Sequence, residues 1–152
     1  MIRIREILLP KQILLNVKAT TREEAITMVS DSLKGDNRII DWSGFTHCLG
    51  ECERSGKVNM GLGLTIPHGR ADSVISMVMA FGRLAQPIRR GPASIRFVLV
   101  IGIPETMDAD YLRLVGVLMR AFRDDQLRKA LETAETPEDV LATFETGETK
   151  LV

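Results

Sequence analysis

The strongest constraint on the fold of this chain is the apolar run FVLVIGIP at residues 97–104, within the β-rich segment SIRFVLVIGIP at 94–104. The run is far too short to cross a bilayer, so it is expected inside a folded domain. Two further segments favour strands: VISMVMAF at 74–81, and GLGLTIPH, in which Leu62, Leu64 and Ile66 alternate on one face. We expect these three segments to form the core of a sheet.

Stretches with helical periodicity precede these strands. After a short strand, ILLNV at 13–17, Thr20 and Glu23 fit a capping box that opens a helix ending at Gly35. A second helix is expected from Asp41 to Gly56. The first half of the chain therefore predicts one strand followed by two helices.

Three more helical segments follow the strands. Asp108 is expected to cap a helix whose apolar face comprises Tyr111, Leu112, Val115, Leu118, Met119 and Phe122. The segment DDQLRKALETA continues as a second helix, and Thr136, Pro137 and Asp139 open a final short one. The order of elements predicts a single α/β domain over residues 1–147, with a sheet between helical layers and a frayed tail at 148–152.

Composition narrows the class of protein. The 20 acidic residues balance 20 lysines and arginines, so the net charge favours neither binding to nucleic acid nor insertion into an anionic membrane. The N-terminal MIRIREILLPK lacks the apolar core and cleavage site of a secretory signal, and we expect a cytoplasmic protein. The short basic loop IRRGP at 88–92 is either a solvated turn or a docking patch for an acidic partner.

A cluster of one imidazole and two thiols lies on the second predicted helix. Cys48 and Cys52 are four residues apart, a spacing that suits reduced thiols and that two ligands of a soft metal could also adopt, with His47 beside them. A zinc site needs three or four ligands, so cysteines packed as small apolar residues are the favoured interpretation and no metal site is predicted.

His68 is the candidate reactive residue. Pro67 before it fixes the backbone direction, and Gly69 after it permits a tight turn or the close approach of a ligand. A neutral imidazole attacks phosphorus when one ring nitrogen is free and the other donates to a carbonyl or carboxylate. Arg70 and donors of the SGKVNMGLG loop, Lys57 and Asn59 among them, could neutralise the phosphoryl oxygens. The alternative is a partly buried histidine with one satisfied hydrogen bond.

The stretch GLGLTIPHGR, preceded by the loop ERSGKVNMG and a helix, resembles the active-site stretch of a bacterial protein family. This family comprises the enzyme IIA domains of the phosphoenolpyruvate-dependent phosphotransferase system, in the fructose/mannitol class, and the chain is most similar to its nitrogen-regulatory members. The resemblance runs from IREIL through LAQPI and FVLVIGIP to ETPEDVLATF. It implies a mixed sheet flanked by helices on both faces.

The resemblance also implies a function for His68. It would accept a phosphoryl group from the histidine phosphocarrier protein and pass it to an acceptor IIB domain, or use its phosphorylation state to signal to a regulated kinase or transporter. No metal or organic cofactor is implied, because the phosphoryl group arrives on a histidine of the donor protein.

Two positions depart from the family pattern. The family usually places an arginine sixteen residues before the reactive histidine, where this chain has Cys52. Arg54 could replace that guanidinium only if the helix has already ended before it. Within a helix, a residue two positions after Cys52 lies on a different face. Tyr111 stands where the family has a second histidine, and its hydroxyl can contact a phosphate without bringing a cation. Phosphoryl contacts are expected from Arg54, Asn59, Arg70 and Tyr111.

These departures predict a slow or selective phosphoacceptor of the regulatory type rather than a high-flux sugar carrier. Each lost charge-assisted hydrogen bond costs about 1.5–3 kcal/mol, so two losses slow transfer by orders of magnitude. The alternative is a regulatory binding module that keeps the fold and acts by protein–protein contact without phosphorylation. The missing arginine and histidine favour this alternative, and the intact IPHGR opposes it.

Overall fold

A four-stranded mixed sheet runs through the middle of the molecule. The structure, a computed structural model, describes residues 3–55, 63–69, 71–90 and 93–150. The strands are β1 (Ile13–Val17), β2 (Leu64–Thr65), β3 (Val78–Arg90) and β4 (Ala93–Gly102), in the spatial order β1-β3-β4-β2. β3 and β4 pair antiparallel, while β1 lies parallel to β3 and β2 parallel to β4.

Six α-helices cover the two faces of this sheet within the described residues. They are α1 (Ile4–Ile7), α2 (Arg22–Asp31), α3 (Trp42–Ser55), α4 (Asp108–Arg123), α5 (Asp125–Thr133) and α6 (Pro137–Lys150). A 3-10 turn, Glu105–Met107, leads into α4. None of these helices is long and apolar enough to cross a bilayer.

Each face of the sheet has its own hydrophobic core. Met79 and Phe81 of β3 pack with α1, α4, α5 and α6, whereas Val78 and Ala80 pack with α2 and α3. Because side chains alternate along a strand, neighbouring residues of one strand supply opposite cores. The predicted α/β class, with a mixed sheet between helical layers, is confirmed.

The strand boundaries differ from those expected. β3 begins at Val78 rather than residue 74, because Val74 instead forms an isolated bridge with Ile39. It extends to Arg90, so most of the predicted basic loop at 88–92 is strand, with Ile88 paired to Ile95. β2 contains only two residues. Leu62, expected on its apolar face, lies outside the described residues, while Leu64 and Ile66 share one core as predicted.

The first helices begin close to the expected positions. Asp41 accepts a hydrogen bond from the backbone N–H of Gly44 and caps α3, which follows at Trp42. Thr21, not Thr20, caps α2 by accepting from the N–H of Glu24 at 3.1 Å. The α2 helix also ends earlier than Gly35, at Asp31. The hydroxyl of Ser32 donates to the carbonyl of Val29. This side-chain bond competes with the backbone bonds that would extend the helix.

Helix α4 and the start of α6 bring two corrections and one confirmation. Asp108 is the first residue of α4 rather than its cap, because the 3-10 turn continues directly into the helix. Leu112 is 71% exposed, since the buried face of α4 consists of Leu114, Val117, Leu118, Ala121 and Phe122. Thr136 and Asp139 form the predicted reciprocal capping bonds.

The helix α6 is longer than the short final helix expected. It runs to Lys150, past the point at Gly147 where fraying was predicted, and a carboxylate oxygen of Glu148 accepts from the backbone N–H of Ile4 at 3.3 Å. Residues 148–150 are therefore helical, and residues 151–152 lie outside the described part of the chain. The domain boundary at 147 stays a prediction.

Candidate active site

His68 is held against the C-terminal end of strand β4. It forms an isolated parallel bridge with Ile101 near the end of β4. The N–H of Gly69 donates to the carbonyl of Ile101 at 2.9 Å, and the N–H of Ile101 donates to the carbonyl of Pro67 at 3.1 Å. Both neighbours of His68 are thus hydrogen-bonded to β4, so the histidine lies on sheet-like backbone rather than on a free turn.

Gly69 allows helix α3 to pack directly beneath this segment. A Cβ built at residue 69 would lie 2.0 Å from two ring atoms of Phe45, and one built at Gly102 would lie 2.8 Å from the same ring. The sequence predicted either a tight turn or the approach of a ligand at Gly69. The structure shows that the close neighbour is an aromatic ring of the protein core.

Tyr111, in the first turn of α4, contacts His68 directly. The distance from Nε2 of His68 to the hydroxyl oxygen of Tyr111 is 2.7 Å, across 43 residues of sequence. The two rings meet edge to face, with centroids 5.4 Å apart and planes at 78°. The fold therefore brings together the histidine and the residue at the position where the resemblance implies a second histidine.

The surroundings of both groups favour their neutral forms. Burial lowers the pKa of His68, and a hydrogen bond to the backbone carbonyl of Ile66 partly opposes that shift. Burial raises the pKa of the Tyr111 phenol. Because Nε2 faces the phenol, we infer that Nδ1–H donates to Ile66 and that the Tyr111 hydroxyl donates to Nε2. This tautomer leaves Nε2 as the basic nitrogen of the ring.

Of the other predicted phosphoryl contacts, Arg54 alone lies within the described residues. The helix α3 continues through Ser55, so Arg54 is still helical and lies about 200° around the helix axis from Cys52. The condition under which Arg54 could take over the position of Cys52 is therefore not met. Asn59, Lys57 and Arg70 lie outside the described residues. Cys48, expected to be buried, is half-buried.

A buried contact that the sequence did not indicate supports the strand leading to His68. Arg22, in the first turn of α2, is only 5% exposed, and its Nη2 donates to Oγ1 of Thr65 at 2.9 Å. This bond joins α2 to β2 three residues before His68. An arginine at a helix start usually contacts solvent, so no local signal in the sequence identifies it.

The whole-chain comparisons agree with this architecture. A family model described as "Phosphoenolpyruvate-dependent sugar phosphotransferase system, EIIA 2" matches residues 6–147. The mannosyl-D-glycerate-specific EIIABC component of Escherichia coli is 27% identical over 86% of this chain, which spans only 21% of that longer protein. The nitrogen regulatory protein of Pseudomonas aeruginosa is also 27% identical, over 97% of this chain and 100% of its own length.

Solved structures share the same fold. The nitrogen regulatory protein IIA-Ntr of Neisseria meningitidis superposes with a TM-score of 0.77 at 23% identity, covering 93% of this chain and 98% of that one. The enzyme IIA of the Escherichia coli mannitol system, solved in complex with phosphorylated enzyme IIB, gives a TM-score of 0.76 at 18% identity, covering 90% and 95%. At these identities the likeness establishes the fold alone.

Proposed function

Since the chain belongs to the EIIA 2 family of the phosphoenolpyruvate-dependent sugar phosphotransferase system, we propose that it is a phosphocarrier of the regulatory type, with His68 as the residue that carries the phosphoryl group. The observation that supports this most directly is the imidazole held between two groups, with Nε2 at 2.7 Å from the Tyr111 hydroxyl and the ring bonded to the Ile66 carbonyl. The bond to the Ile66 carbonyl fixes the tautomer of a neutral imidazole, and Nε2 becomes free to attack once the Tyr111 hydroxyl turns away from it.

The proposed step is an in-line transfer from the phosphohistidine of the histidine phosphocarrier protein. The lone pair on Nε2 of His68 attacks phosphorus, the donor's N–P bond breaks, and its electron pair returns to the donor imidazole. A new Nε2–P bond forms, and the positive charge that develops on the His68 ring is stabilised by the Nδ1–H bond to Ile66. The Tyr111 hydroxyl, which occupies the lone pair of Nε2 beforehand, turns to donate to a phosphoryl oxygen.

Tyr111 is also the proposed reason for slow transfer. A phenol with a raised pKa stays neutral, so it supplies a hydrogen bond and no positive charge to the phosphoryl group. Charge neutralisation would then depend on Arg70, while Asn59 could donate only a neutral hydrogen bond; both remain proposed contacts, whereas Arg54 could contribute only from a helix position other than that of Cys52. The donor protein would approach over the side of α4 on which Leu112, next to Tyr111, is 71% exposed.

The acceptor is proposed by analogy with the relatives. The complex of the mannitol IIA with its phosphorylated IIB supports a IIB domain as one class of acceptor. The full-length match to a nitrogen regulatory protein supports the other class, a regulated kinase or transporter that responds to the phosphorylation state of His68.

A second candidate function is a binding module that never uses the histidine chemically. One specific observation favours it: the Tyr111 hydroxyl already satisfies Nε2, which would make His68 a structural histidine with both ring nitrogens bonded. In that case the partner would recognise the fold itself, and replacing His68 would leave regulation intact.

Phosphorylation of purified protein separates the two candidates. Wild type is incubated with phosphoenolpyruvate, enzyme I and the histidine phosphocarrier protein, and intact mass is recorded before and after acid treatment. His68→Ala should gain no phosphoryl group, and His47→Ala is the matched control because His47 is the other histidine of the chain. The phosphocarrier function is supported if wild type and His47→Ala gain an acid-labile phosphoryl group and His68→Ala does not. Labelling of His68→Ala at the wild-type rate overturns the site, and no labelling of wild type, while a known IIA is labelled, overturns the function.

A further inference from the structure

The antiparallel pair β3–β4 contains a wide bulge at the end of the sheet remote from His68. Five residue steps lead from Arg83 to Ile88 on β3, but only two lead from Phe97 to Ile95 on the paired strand. Three extra residues of β3 are therefore pushed out of the ladder. Bulges of this kind re-aim the chain and are concentrated next to functional sites.

The bulge is held in place by Arg96 of β4. Its Nη1 donates to the backbone carbonyls of Leu84 and Ala85, at the start of the extra residues. Arg83, immediately before them, donates to the carbonyls of Leu131 and Ala134 at the end of α5. Both guanidinium groups thus bind backbone carbonyls rather than carboxylates, so their charges are not neutralised by these contacts. Burial lowers the pKa of Arg83, and the nearby positive charge of Arg96 lowers it further.

A groove opens between this bulge and the chain that leaves β1. β1 pairs with β3 as far as Val17 and Leu84 and then diverges. The bulge groove is lined by residues 18–20 on one side and 85–89 on the other, with a volume of about 460 Å³. It lies far from His68: β4 runs from Ser94, the partner of Arg89, to Ile101, the partner of His68, roughly 23 Å in an extended strand.

The charges of the bulge groove are all of one sign. Lys18 and Arg89 line it and are exposed, and neither has a hydrogen bond or ion pair within the described part of the chain. No carboxylate is among the described residues of its lining. Exposed Pro87 and half-buried Ile88 line the same groove and supply apolar surface. Because the chain as a whole is neutral, this concentration of positive charge is local.

We propose that the bulge groove binds an acidic segment of a partner protein, with Lys18 and Arg89 pairing to carboxylates and Pro87 contacting an apolar residue between them. Two copies of the chain docked groove to groove do not fit, because both grooves carry the same charge and Pro87 offers no N–H for strand pairing. A nucleic acid fits less well than a protein, because no aromatic side chain lines the described part of the groove for base stacking. A partner bound here leaves His68 accessible, so a regulated protein and the phosphoryl donor could be bound together.

Charge reversal at the groove tests the proposal. The probe is a short fluorescent peptide in which glutamates alternate with leucine and serine, titrated at low salt, with an oligothymidylate of equal charge for comparison. Lys18→Glu/Arg89→Glu should weaken peptide binding about tenfold or more, and added salt should weaken it in wild type. The matched control is Lys11→Glu/Lys34→Glu, which reverses two exposed lysines outside the groove and should bind like wild type.

Amide chemical shifts locate the bound peptide. We expect shifts at residues 18–20, 85, 86, 88 and 89, since Pro87 has no amide proton, and none at His68 or Tyr111. Equal loss in both double variants, shifts confined to another surface, or no saturable binding by wild type would overturn the proposal. Tighter binding of the oligothymidylate than of the peptide would assign the groove to nucleic acid instead. None of these outcomes depends on whether His68 is phosphorylated, so failure here is distinguishable from failure of the proposed function.

Discussion

The two ends of strand β4 show opposite ways of presenting a polar side chain. At one end, His68 and Tyr111 are desolvated, neutral and bonded to each other at 2.7 Å, on backbone that is fixed to β4 from both sides. At the other end, Lys18 and Arg89 are exposed beside a bulge. Burial at the first end favours defined hydrogen bonds and a controlled protonation state, whereas exposure at the second favours long-range attraction of opposite charge.

The largest effect is expected where the His68 segment meets α3. In Gly69→Ala the new methyl would lie 2.0 Å from the Phe45 ring, so the ring must move and the free energy of unfolding should fall by about 1–3 kcal/mol. Urea unfolding measures the change. The matched control is Gly116→Ala in α4, where nothing lies within 4 Å of the new methyl and a gain of up to about 1 kcal/mol is expected. A Gly69→Ala protein as stable as wild type would show that the His68 segment is not packed tightly on α3.

The next effect concerns the hydroxyl of Tyr111. During phosphoryl transfer this hydroxyl stops donating to neutral Nε2 of His68 and donates to a charged phosphoryl oxygen instead. In Tyr111→Phe the transition state should therefore lose about 1 kcal/mol of stabilisation, and the protein should accept the phosphoryl group roughly fivefold more slowly. Tyr111→His restores a group able to carry positive charge and should accept faster than wild type. Rapid-quench labelling measures both rates. A Tyr111→Phe rate equal to that of wild type would remove Tyr111 from the proposed phosphoryl contacts.

A smaller effect is expected in the dependence of stability on pH. The pKa of His68 is lower in the folded protein than its ordinary value of 6.5, so the unfolded chain binds a proton first as pH falls. This contribution to stability is complete above about pH 7, declines as pH drops below 6.5, and stops changing below the folded pKa. Unfolding curves of wild type and His68→Gln across this range, with the His68 pKa followed by NMR, give the comparison. If the free energy of unfolding of wild type falls no more steeply with decreasing pH than that of His68→Gln, burial of a neutral imidazole is contradicted.

The smallest effect is expected from the exposed end of β4. Lys18→Glu/Arg89→Glu should change the free energy of unfolding by no more than about 0.5 kcal/mol, because exposed charges away from packing contacts contribute little. Its rate of phosphoryl acceptance should equal that of wild type, since the groove lies roughly 23 Å from Ile101 along the strand. Thermal unfolding and quench labelling check both statements. A clear drop in the labelling rate would show that the two ends of the strand are coupled.

How much of this structure could be predicted depends on whether the signal is local. The start of α3 beside Asp41 and the capping box of Thr136 and Asp139 involve neighbouring residues and were correctly predicted. Leu112 was wrongly assigned to the buried face of α4, because apolar spacing alone does not say which of two overlapping stripes faces the sheet. The length of β3 was also missed, since its bulge depends on the partner strand.

The candidate site shows the same division. His68 was identified from its flanking proline and glycine and from the family resemblance, and Tyr111 from its place in that resemblance. The support beneath them was not predicted: the Phe45 ring under Gly69 and the buried bond from Arg22 to Thr65 each join residues more than twenty positions apart. Arg54 was proposed on the condition that α3 ends early, and only the structure shows that α3 continues.

The sequence by itself determined the class of fold, the family and the identity of the residue proposed to react, because periodicity, caps and a short motif are all carried by neighbouring residues. Only the tertiary structure decided that Nε2 of His68 faces a phenol, that its ring bonds to a backbone carbonyl, and that a bulge pinned by Arg96 opens a basic groove at the other end of the sheet. The physical reason is that hydrogen-bond partners, burial and the electrostatic field all depend on distances between residues far apart in the chain. Those distances are set only when the strands pair.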